Sequence, residues 1–480
     1  MLFNSLDYVV FLPVVVALYF LLPHRVRWVF LLAASYYFYM CWKAEYLVLI
    51  VVSTAIDYVA ARGIAASSRH SRRRLWLALS LFSNLSILFG FKYFNFISAE
   101  TRDLLALFNI FVDAPVFQSL LPVGISFYTF QTLSYTIDVY RGTQEVERHP
   151  GLFALYVAFF PQLVAGPIER SSRLLPQFRE RHRFNFDRLV SGLTLIVWGF
   201  FKKLVVADRL ALVADAVYGH PAIYQGGAIA LGTLCFAYQI YCDFSGYTDI
   251  ARGTARVLGI ELMENFKRPY CARSISEFWH RWHISLSSWF RDYVYIPLGG
   301  NRKGSLSHHR NLAVVFVVSG LWHGANWTFV VWGALHYLYM AIERALVPLR
   351  ERVQRVLPPI AGRWVVPWIQ LGVTFCATSL AWVFFRSRSL AESLLVLTNL
   401  VQPSEASWWV ITGVPLYELV VGGVAVLLLE VVQARVGDQD VGVAIASWSR
   451  PLRWSFSLGV VTSILIFGEF NLTAFIYFQF

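Results

Sequence analysis

Long apolar runs, each separated from the next by a short polar or charged segment, recur along the whole chain. A helix needs about 20 predominantly apolar residues to cross the hydrocarbon core of a bilayer, and many of the runs approach that length. The pattern therefore predicts about a dozen membrane helices, near residues 8–22, 28–42, 46–61, 75–96, 121–139, 189–206, 228–244, 311–321, 327–342, 368–385, 415–432 and 456–467.

Two segments depart from this pattern. Residues 149–170 are apolar but interrupted by Pro161, Gly166 and Pro167, which favours a re-entrant or interfacial placement. Residues 243–303 mix charged, aromatic and glycine residues at a density that lipid-facing helices avoid, so this backbone is predicted to line a cavity or to be enclosed by other helices. No repeat or linker divides the sequence, and we predict one integral-membrane domain over residues 1–480.

The positions of the basic residues indicate how the helices are oriented. Arg25 and Arg27 follow the first apolar run and a cluster of arginines between residues 62 and 74 follows the third, whereas the loop at 100–113 carries more acidic than basic side chains. Because loops rich in lysine and arginine stay in the cytoplasm, the N-terminus is predicted to lie outside.

Composition supports a membrane protein and narrows its function. The 480 residues are 57% hydrophobic and 15% charged, which leaves too little polar surface for a water-soluble fold. The net charge of +12 resides in loops between apolar runs, where the positive-inside rule explains it, so nucleic acid is not an expected partner. The five cysteines show no spacing typical of disulfides or zinc sites and are interpreted as packing residues.

His323 is the first candidate for chemistry. It lies between Gly320 and Gly324 and precedes an apolar run, so its imidazole is predicted to be buried in the membrane, where an ionisable group is a functional candidate by default. The alternative is a histidine that only hydrogen-bonds two helices together. Glycines that permit close backbone approach, with Trp322 and Trp327 as rigid walls, favour a reaction chamber.

A second polar stretch lies upstream of His323. His280 and His283 are separated by two residues, which places them on one face of a helix if the segment is helical. The same spacing could hold a metal ion, but the chain has no HExxH signature and no convincing third ligand, so no metal site is predicted.

Two aspartates, Asp243 and Asp249, lie in or beside an apolar run. Each is predicted either to pair with an arginine such as Arg252 or Arg291 or to take part in the reaction. Neither GxSxG nor GxxxxGK[ST] occurs in the chain, so covalent serine catalysis and ATP-driven pumping lose support.

A collinear set of motifs extends over nearly the whole chain: MLFNS at the start, LPVGISFYTFQTLSYTIDVYRG at 121–142, FPQLVAGPIER at 160–170, KKLVVADRLA at 202–211, DFSGYTDIARG at 243–253, RWHISLSSWFRDYVYIPLGGNR at 281–302, GLWHG at 320–324, WVFFR at 382–386 and FIYFQF at the end. These motifs resemble those of the membrane-bound O-acyltransferase (MBOAT) family, and most closely its bacterial alginate O-acetyltransferase branch. The resemblance implies an all-α integral-membrane fold: a multi-span helical ring with re-entrant segments around a thin centre, with opposed cytoplasmic and periplasmic openings.

The resemblance also assigns roles to residues. It matches His323 to the family's essential histidine and His283 to a second polar position of the site. His323 is then expected to act as general base while Trp322 excludes water, and Asn326 or His283 is expected to orient the base or stabilise the oxyanion. Asp243 and Trp282 are further substrate-binding candidates.

The implied donor is acetyl-CoA as a substrate, with no bound cofactor. Its phosphates need basic partners, for which Arg302, Lys303, Lys267 and Arg268 are candidates, although contacts with lipid headgroups explain these charges nearly as well.

The implied setting is a bacterial inner membrane, with a periplasmic SGNH-type acetyltransferase partner and proteins of polysaccharide biosynthesis and secretion. The polymer stays open among alginate, cellulose, peptidoglycan and other exported glycans. D-alanyl transfer from a carrier protein is the alternative within the family. A transporter or a scaffold of a secretion complex is the alternative from another class, although a transporter predicts inverted repeats that the sequence does not show.

Overall fold

The computed structural model describes residues 1–113, 115–117, 122–164, 166–358, 360–403, 411, 413–470 and 475–476. Within these ranges the chain forms α-helices joined by short loops, with no β-strand, which confirms the all-α prediction. The predicted ring with opposed openings stays a prediction.

The α-helices are α1 Leu6–Leu21, α2 His24–Met40, α3 Leu47–Ala66, α4 His70–Leu88, α5 Phe94–Ala106, α6 Ile125–Arg141, α7 Pro150–Ala158, α8 Phe160–Leu163, α9 Ser171–Arg179, α10 Phe186–Phe200, α11 Asp208–Gly219, α12 Gly227–Leu258, α13 Ile275–Arg281, α14 Ile284–Phe290, α15 Ser305–His323, α16 Trp327–Ala345, α17 Val347–Val356, α18 Val366–Arg386, α19 Leu390–Leu400, α20 Leu416–Val436, α21 Val441–Ala446 and α22 Arg450–Phe467. Short 3₁₀ turns occur at Ala44–Tyr46 and Pro269–Cys271, and π-helical turns at Phe89–Tyr93, Phe201–Ala207, Arg291–Tyr295 and Ala361–Val365.

Each predicted apolar run falls on a helix. The run at 75–96 continues from α4 through the π-helical turn Phe89–Tyr93 into α5. The run at 189–206 continues from α10 into the π-helical turn Phe201–Ala207. The run at 121–139 begins at Leu121, which lies outside the described residues, and α6 starts after Gly124 in a left-handed conformation (φ 76°).

Five helical stretches of the described chain are long and apolar enough to cross a membrane. They are Ala44–Ala66, His70–Ala106, Phe186–Gly219, Ala361–Arg386 and Leu416–Val436. Helix α19 was not predicted from the sequence. It begins where the Ser389 hydroxyl accepts a hydrogen bond from Glu392 N, a local cap that an apolar-run search does not detect.

The chain divides into two compact units, and the first comprises Met1–Ile196 and Tyr247–Met263. Its helices α3, α4 and α6 pack around the buried carboxylate of Asp57. That carboxylate accepts hydrogen bonds from Ser80, from Asn84 at 3.0 Å and from Thr136 at 3.4 Å. Polar contacts of this kind hold helices together where apolar burial alone gives no preference.

The segment at 149–170 also belongs to the first unit. It forms α7 and α8, which have nine and four residues, with the break at Phe159. Neither helix is long enough to cross a bilayer, and Phe159 and Phe160 are fully buried. The interrupted backbone that the prolines and glycine predicted is therefore present.

The second unit comprises Val197–Gly246 and Glu264–Phe480. Within it, α15 and α16 form an antiparallel hairpin whose backbones meet at glycines: a Cβ atom on Gly320 would lie 2.2 Å from the Phe329 carbonyl oxygen, and one on Gly333 would lie 2.2 Å from that of Phe316. Close approach at small residues is the usual way in which membrane helices pack. The contact fixes the C-terminal end of α15, where His323 lies.

Candidate active site

His323 is the last residue of α15 and is enclosed by aromatic rings. Its side chain is buried, and its ring centroid lies 5.0 Å from Trp322, 5.0 Å from Trp332 and 5.3 Å from Phe385, each in an edge-to-face arrangement. Gly324 leaves the helical conformation immediately afterwards. The imidazole therefore sits at a helix end inside an apolar wall that excludes water.

His283 lies in the same unit but not on a helix face shared with His280. Helix α13 ends at Arg281, and His283 has a left-handed backbone (φ 43°, ψ 53°) before α14 begins. The prediction of one helical face was therefore wrong. The physical reason is tertiary: Asn265 accepts hydrogen bonds from Ile284 N and Ser285 N, at 3.0 and 3.1 Å, and holds the start of α14.

The rings of His283 and His323 are near neighbours. Their centroids are 6.5 Å apart and their planes are inclined by 59°. Phe244 packs edge-on against His283 at 4.7 Å, and Trp322 lies 6.1 Å from it.

His283 lies outside the helices that are long enough to cross a membrane. Burial lowers the pKa of its imidazole to about 3, because a charged ring would lose its hydration there. His283 is therefore neutral at physiological pH, with one ring nitrogen able to donate and the other able to accept.

Asp243 is part of a buried ion network rather than an arginine pair. Lys203 Nζ lies 2.8 Å from Asp243 Oδ1 and 2.9 Å from Asp208 Oδ1, and Ile476 N donates to Asp243 Oδ2 at 2.8 Å. The predicted arginine partner was wrong for Asp243. Asp249 does pair with Arg252, at 3.5 Å.

Lys203 was missed by sequence reasoning, although a signal was present. It lies within the apolar run at 189–206, where a lysine is costly unless it is paired. It occupies the π-helical turn Phe201–Ala207, a type of distortion that often accompanies functional sites.

Trp282 belongs to a layer of aromatic rings that encloses the pair of histidines. It lies 5.0 Å from both Phe266 and Trp382, and Phe266 in turn lies 6.4 Å from His283. Trp382 stacks on Trp332 at 5.8 Å, which contacts His323. Trp332 was not singled out from the sequence, and Trp382 entered only as the first residue of the motif WVFFR.

Both polar atoms of the Asn326 side chain form hydrogen bonds with neighbouring backbone. Its Oδ1 accepts a hydrogen bond from Thr328 N at 3.0 Å and caps α16, and its Nδ2 donates to the Arg388 carbonyl oxygen at 2.9 Å. Both halves of the amide are therefore engaged at the start of α16. A role for Asn326 in orienting the base stays a prediction.

The basic candidates lie in surface loops of the second unit. Arg302 and Lys303 are exposed in the turn before α15. Lys267 is paired with Glu264 at 3.5 Å, and half-buried Arg268 donates to Cys271 Sγ at 3.3 Å. No set of three histidine, cysteine or acidic side chains in the described ranges is arranged to hold a metal ion.

A cavity of about 330 Å³ approaches the helices that carry both histidines. Leu286 and Ser287 of α14 line it, within one helical turn of His283, and Ser319 lines it one turn before His323. Its wall is mostly apolar and its volume suits a small organic ligand. Neither His283 nor His323 is among the residues that line this cavity.

Helical stretches long enough to cross a membrane, together with two buried histidines among aromatic rings, are features of an integral-membrane protein with an enclosed candidate site. The chain belongs to the membrane-bound O-acyltransferase family, whose sequence model matches residues 149–385. This membership makes it a membrane O-acyltransferase rather than a transporter or a scaffold.

Three relatives illustrate the range of the family. The probable alginate O-acetylase of Pseudomonas putida is 43% identical over 383 residues, which cover 79% of this chain and 76% of that protein. The peptidoglycan O-acetyltransferase of Helicobacter pylori is 36% identical over 435 residues, covering 84% and 80%. The teichoic acid D-alanyltransferase of Streptococcus thermophilus is 28% identical over 294 residues, covering 56% and 69%.

Proposed function

We propose that this enzyme takes an acetyl group from acetyl-CoA at the cytoplasmic face of a bacterial inner membrane and passes it on for O-acetylation of an exported polysaccharide. The relatives support acetyl transfer, because the two with the higher identity are named for alginate and peptidoglycan O-acetylation. The single structural observation that carries the mechanism is the buried His323 at the end of α15, with the ring centroid of His283 6.5 Å from its own.

His323 serves as the general base. Its neutral imidazole accepts the proton of the acceptor hydroxyl as the hydroxyl oxygen attacks the thioester carbonyl carbon. The tetrahedral intermediate then collapses, the carbon–sulfur bond breaks, and the leaving thiolate takes the proton back from His323. Proton transfer by a positioned side chain typically contributes about 10²- to 10⁴-fold to the rate.

His283 contributes as a hydrogen-bonding group. Because burial keeps it neutral, it offers one N–H to the acceptor oxygen or to the developing oxyanion. An N–H donor aimed at that charge in a site without water stabilises the transition state more than the same donor does in water.

The aromatic wall protects the thioester. Trp322, Trp332 and Phe385 surround the His323 ring, so water has little access to the acyl carbon and hydrolysis is suppressed. Of the other substrate-binding candidates, Trp282 extends this wall. Asp243 acts indirectly, because its ion pair with Lys203 fixes the backbone next to Phe244, which packs against His283.

The cavity beside α14 and α15 is the route by which the donor arm reaches the histidines in this proposal. Arg291 and His280 line it, together with apolar side chains. Arg302 and Lys303 follow in the exposed turn before α15, where they would bind the donor phosphates, with Lys267 as a further candidate.

Delivery to the polymer requires a partner in this proposal. We expect a periplasmic SGNH-type acetyltransferase, acting with polysaccharide biosynthesis and secretion proteins, and an N-terminus on the periplasmic side. The polymer is not specified by the residues of the site.

The test uses membranes that contain the full chain, the presumed partner and a polysaccharide acceptor. Acetyl-CoA labelled in the acetyl group should give labelled polymer, and membranes without the chain should give none. Labelling from a D-alanyl carrier protein but not from acetyl-CoA would replace the proposal with the D-alanyl alternative, which the teichoic acid relative represents.

A further inference from the structure

A second and larger cavity lies in the second unit, between α18 and α20. Its volume is about 870 Å³. Both helices are among those able to cross a membrane, and the wall includes Trp368, Leu427 and Val431, whose side chains are 70%, 66% and 53% exposed. Apolar side chains with that exposure on membrane helices face lipid, so the cavity is a groove open to the bilayer.

One end of the groove is charged. Asp438 follows the end of α20, and Trp368 lies about two helical turns inside the membrane-length stretch Ala361–Arg386. This end of the groove is therefore near the ends of two membrane helices, where headgroups and tryptophan anchors are found. Leu427 lies nine residues before the end of α20, roughly 13 Å of helical rise into the apolar part. The groove therefore passes from headgroup level into the hydrocarbon.

The charges at this end are balanced and have both signs. They comprise three arginines and three acidic residues, Arg268, Arg273, Arg281, Glu277, Glu430 and Asp438. Arg281 is committed to protein partners, since it pairs with Glu277 at 2.9 Å and lies 3.6 Å from Asp438. Arg268 and Arg273 form no ion pair of this kind within the described ranges, and Glu430 accepts a hydrogen bond from Tyr238 at 3.3 Å.

Arg268 shows two further signs of a ligand site. It is one of the few non-glycine residues with a left-handed backbone (φ 47°), a strain that proteins retain where a side chain must be held in place. Its half-buried guanidinium group also lines the groove wall, and such a group is complementary to a phosphate oxygen.

We propose that the groove binds a phospholipid whose headgroup carries both a phosphate and an ammonium group. The phosphate lies at Arg268 and Arg273, the ammonium group at Glu430 or Asp438, and an acyl chain along Leu427 and Val431. The groove wall carries carboxylates as well as arginines, so this mixture of charges favours a zwitterionic headgroup over a purely anionic one. This site is separate from the proposed acetyl transfer and does not depend on it.

The floor of the groove connects it to the aromatic layer of the reaction centre. Tyr270 lines the groove, and its hydroxyl accepts a hydrogen bond from Trp382 Nε1 at 3.1 Å. Trp382 stacks on Trp332, which contacts His323. A lipid in the groove would thus pack behind the rings that enclose the base.

The test measures which lipid the purified full-length protein retains. The protein is equilibrated in vesicles with equal amounts of phosphatidylethanolamine, phosphatidylcholine and phosphatidylglycerol, extracted in mild detergent, and its bound lipids are quantified by mass spectrometry. We expect phosphatidylethanolamine to be retained about fivefold or more over the other two, because phosphatidylcholine lacks ammonium N–H donors and phosphatidylglycerol lacks the cation. Equal retention, or retention of phosphatidylglycerol first, would overturn the proposal.

Variants separate the site from general lipid adhesion. The double variant Arg268→Ala/Arg273→Ala should lose the preference, and Arg352→Ala, at an exposed arginine of α17, should keep it. The double variant Glu430→Gln/Asp438→Asn should shift retention toward phosphatidylglycerol, a change that misfolding does not produce. An unchanged preference in the double variant would reject the site, as would displacement of the lipid by acetyl-CoA, which would identify the groove as a donor site instead.

Discussion

Lys203 Nζ lies 2.8 Å from Asp243 Oδ1, in the interior of the second unit. The next residue, Phe244, packs edge-on against His283 at 4.7 Å. The ion pair thus fixes the backbone at the point from which an aromatic ring supports one of the two site histidines, and Lys203 and Asp243 act as positioning residues.

Lys203→Met should destabilise the protein strongly. It leaves Asp208 and Asp243 buried without their common cation, and breaking a buried pair on one side costs about 3–5 kcal/mol. Thermal unfolding in detergent measures the change. The double variant Lys203→Met/Asp243→Asn should recover part of the loss, and Lys43→Met, which removes an exposed pair with Glu45, should have little effect. Equal melting temperatures for Lys203→Met and wild type would contradict the role of the pair.

Gly320→Ala should disrupt the α15–α16 contact. The added Cβ would lie 2.2 Å from the Phe329 carbonyl oxygen, so the helices must separate, at about 1–3 kcal/mol or more. Because His323 lies less than one turn further along α15, acyl transfer should fall together with stability. Gly459→Ala, in α22 where a Cβ would meet nothing within 4 Å, is the matched control and should be neutral or slightly stabilising. If Gly320→Ala melted at the same temperature as wild type, α15 and α16 would have to be less closely packed at Gly320 than the structure shows.

His283 should make stability depend on pH. Its pKa is lowered to about 3 in the folded protein and is about 6.5 in an unfolded chain. Between these two pH values the unfolded state binds a proton at His283 and the folded state does not. This contribution to stability is complete above pH 6.5 and decreases as the pH falls toward 3, by up to about 1.4 kcal/mol per pH unit. His283→Gln should give a shallower dependence between pH 6.5 and 5 in detergent unfolding experiments. If stability fell with pH equally steeply in the two proteins, the His283 ring would be protonated as readily in the folded state as in the unfolded state.

Asn326→Ala should remove a helix cap. Loss of the Oδ1 contact with Thr328 N should lower stability by about 1 kcal/mol, and Asn326→Ser, which can still cap, should restore most of it. If Asn326 serves only as a helix cap, acetyl transfer by the folded enzyme should survive in both variants. Transfer lost in a stable Asn326→Ser protein would instead support a role for the amide in orienting the base.

The sequence was sufficient to predict the helical class and the position of the central histidine. Apolar runs locate helices because an unsatisfied backbone is excluded from lipid, and each predicted run overlaps a helix. Five helical stretches of the described chain are long and apolar enough to cross a membrane, so the prediction of about a dozen membrane helices is supported only for these. His323 could be found because a buried ionisable residue beside glycines is unusual. The C-terminal motif FIYFQF is only partly assessable, since residues 477–480 lie outside the described residues.

The predictions that were wrong concern features set by contacts between residues far apart in the sequence. The backbone at His283 is set by Asn265 rather than by the spacing from His280. The partner of Asp243 is Lys203 on another helical segment, which no local pattern reveals. The tryptophans around His323 come from the residue after α13 and from α15, α16 and α18, so the layer forms only when these helices pack together.

The most direct test of the proposed mechanism compares wild type, His323→Ala and the control His220→Ala, which changes an exposed histidine after α11. Each full-length protein is assayed for transfer of labelled acetyl groups from acetyl-CoA, with its partner present and with amounts and melting temperatures matched. The mechanism predicts that His323→Ala loses about 10²-fold or more of the transfer rate while His220→Ala retains it. Wild-type transfer by a folded His323→Ala protein would contradict the claim that this histidine is the base.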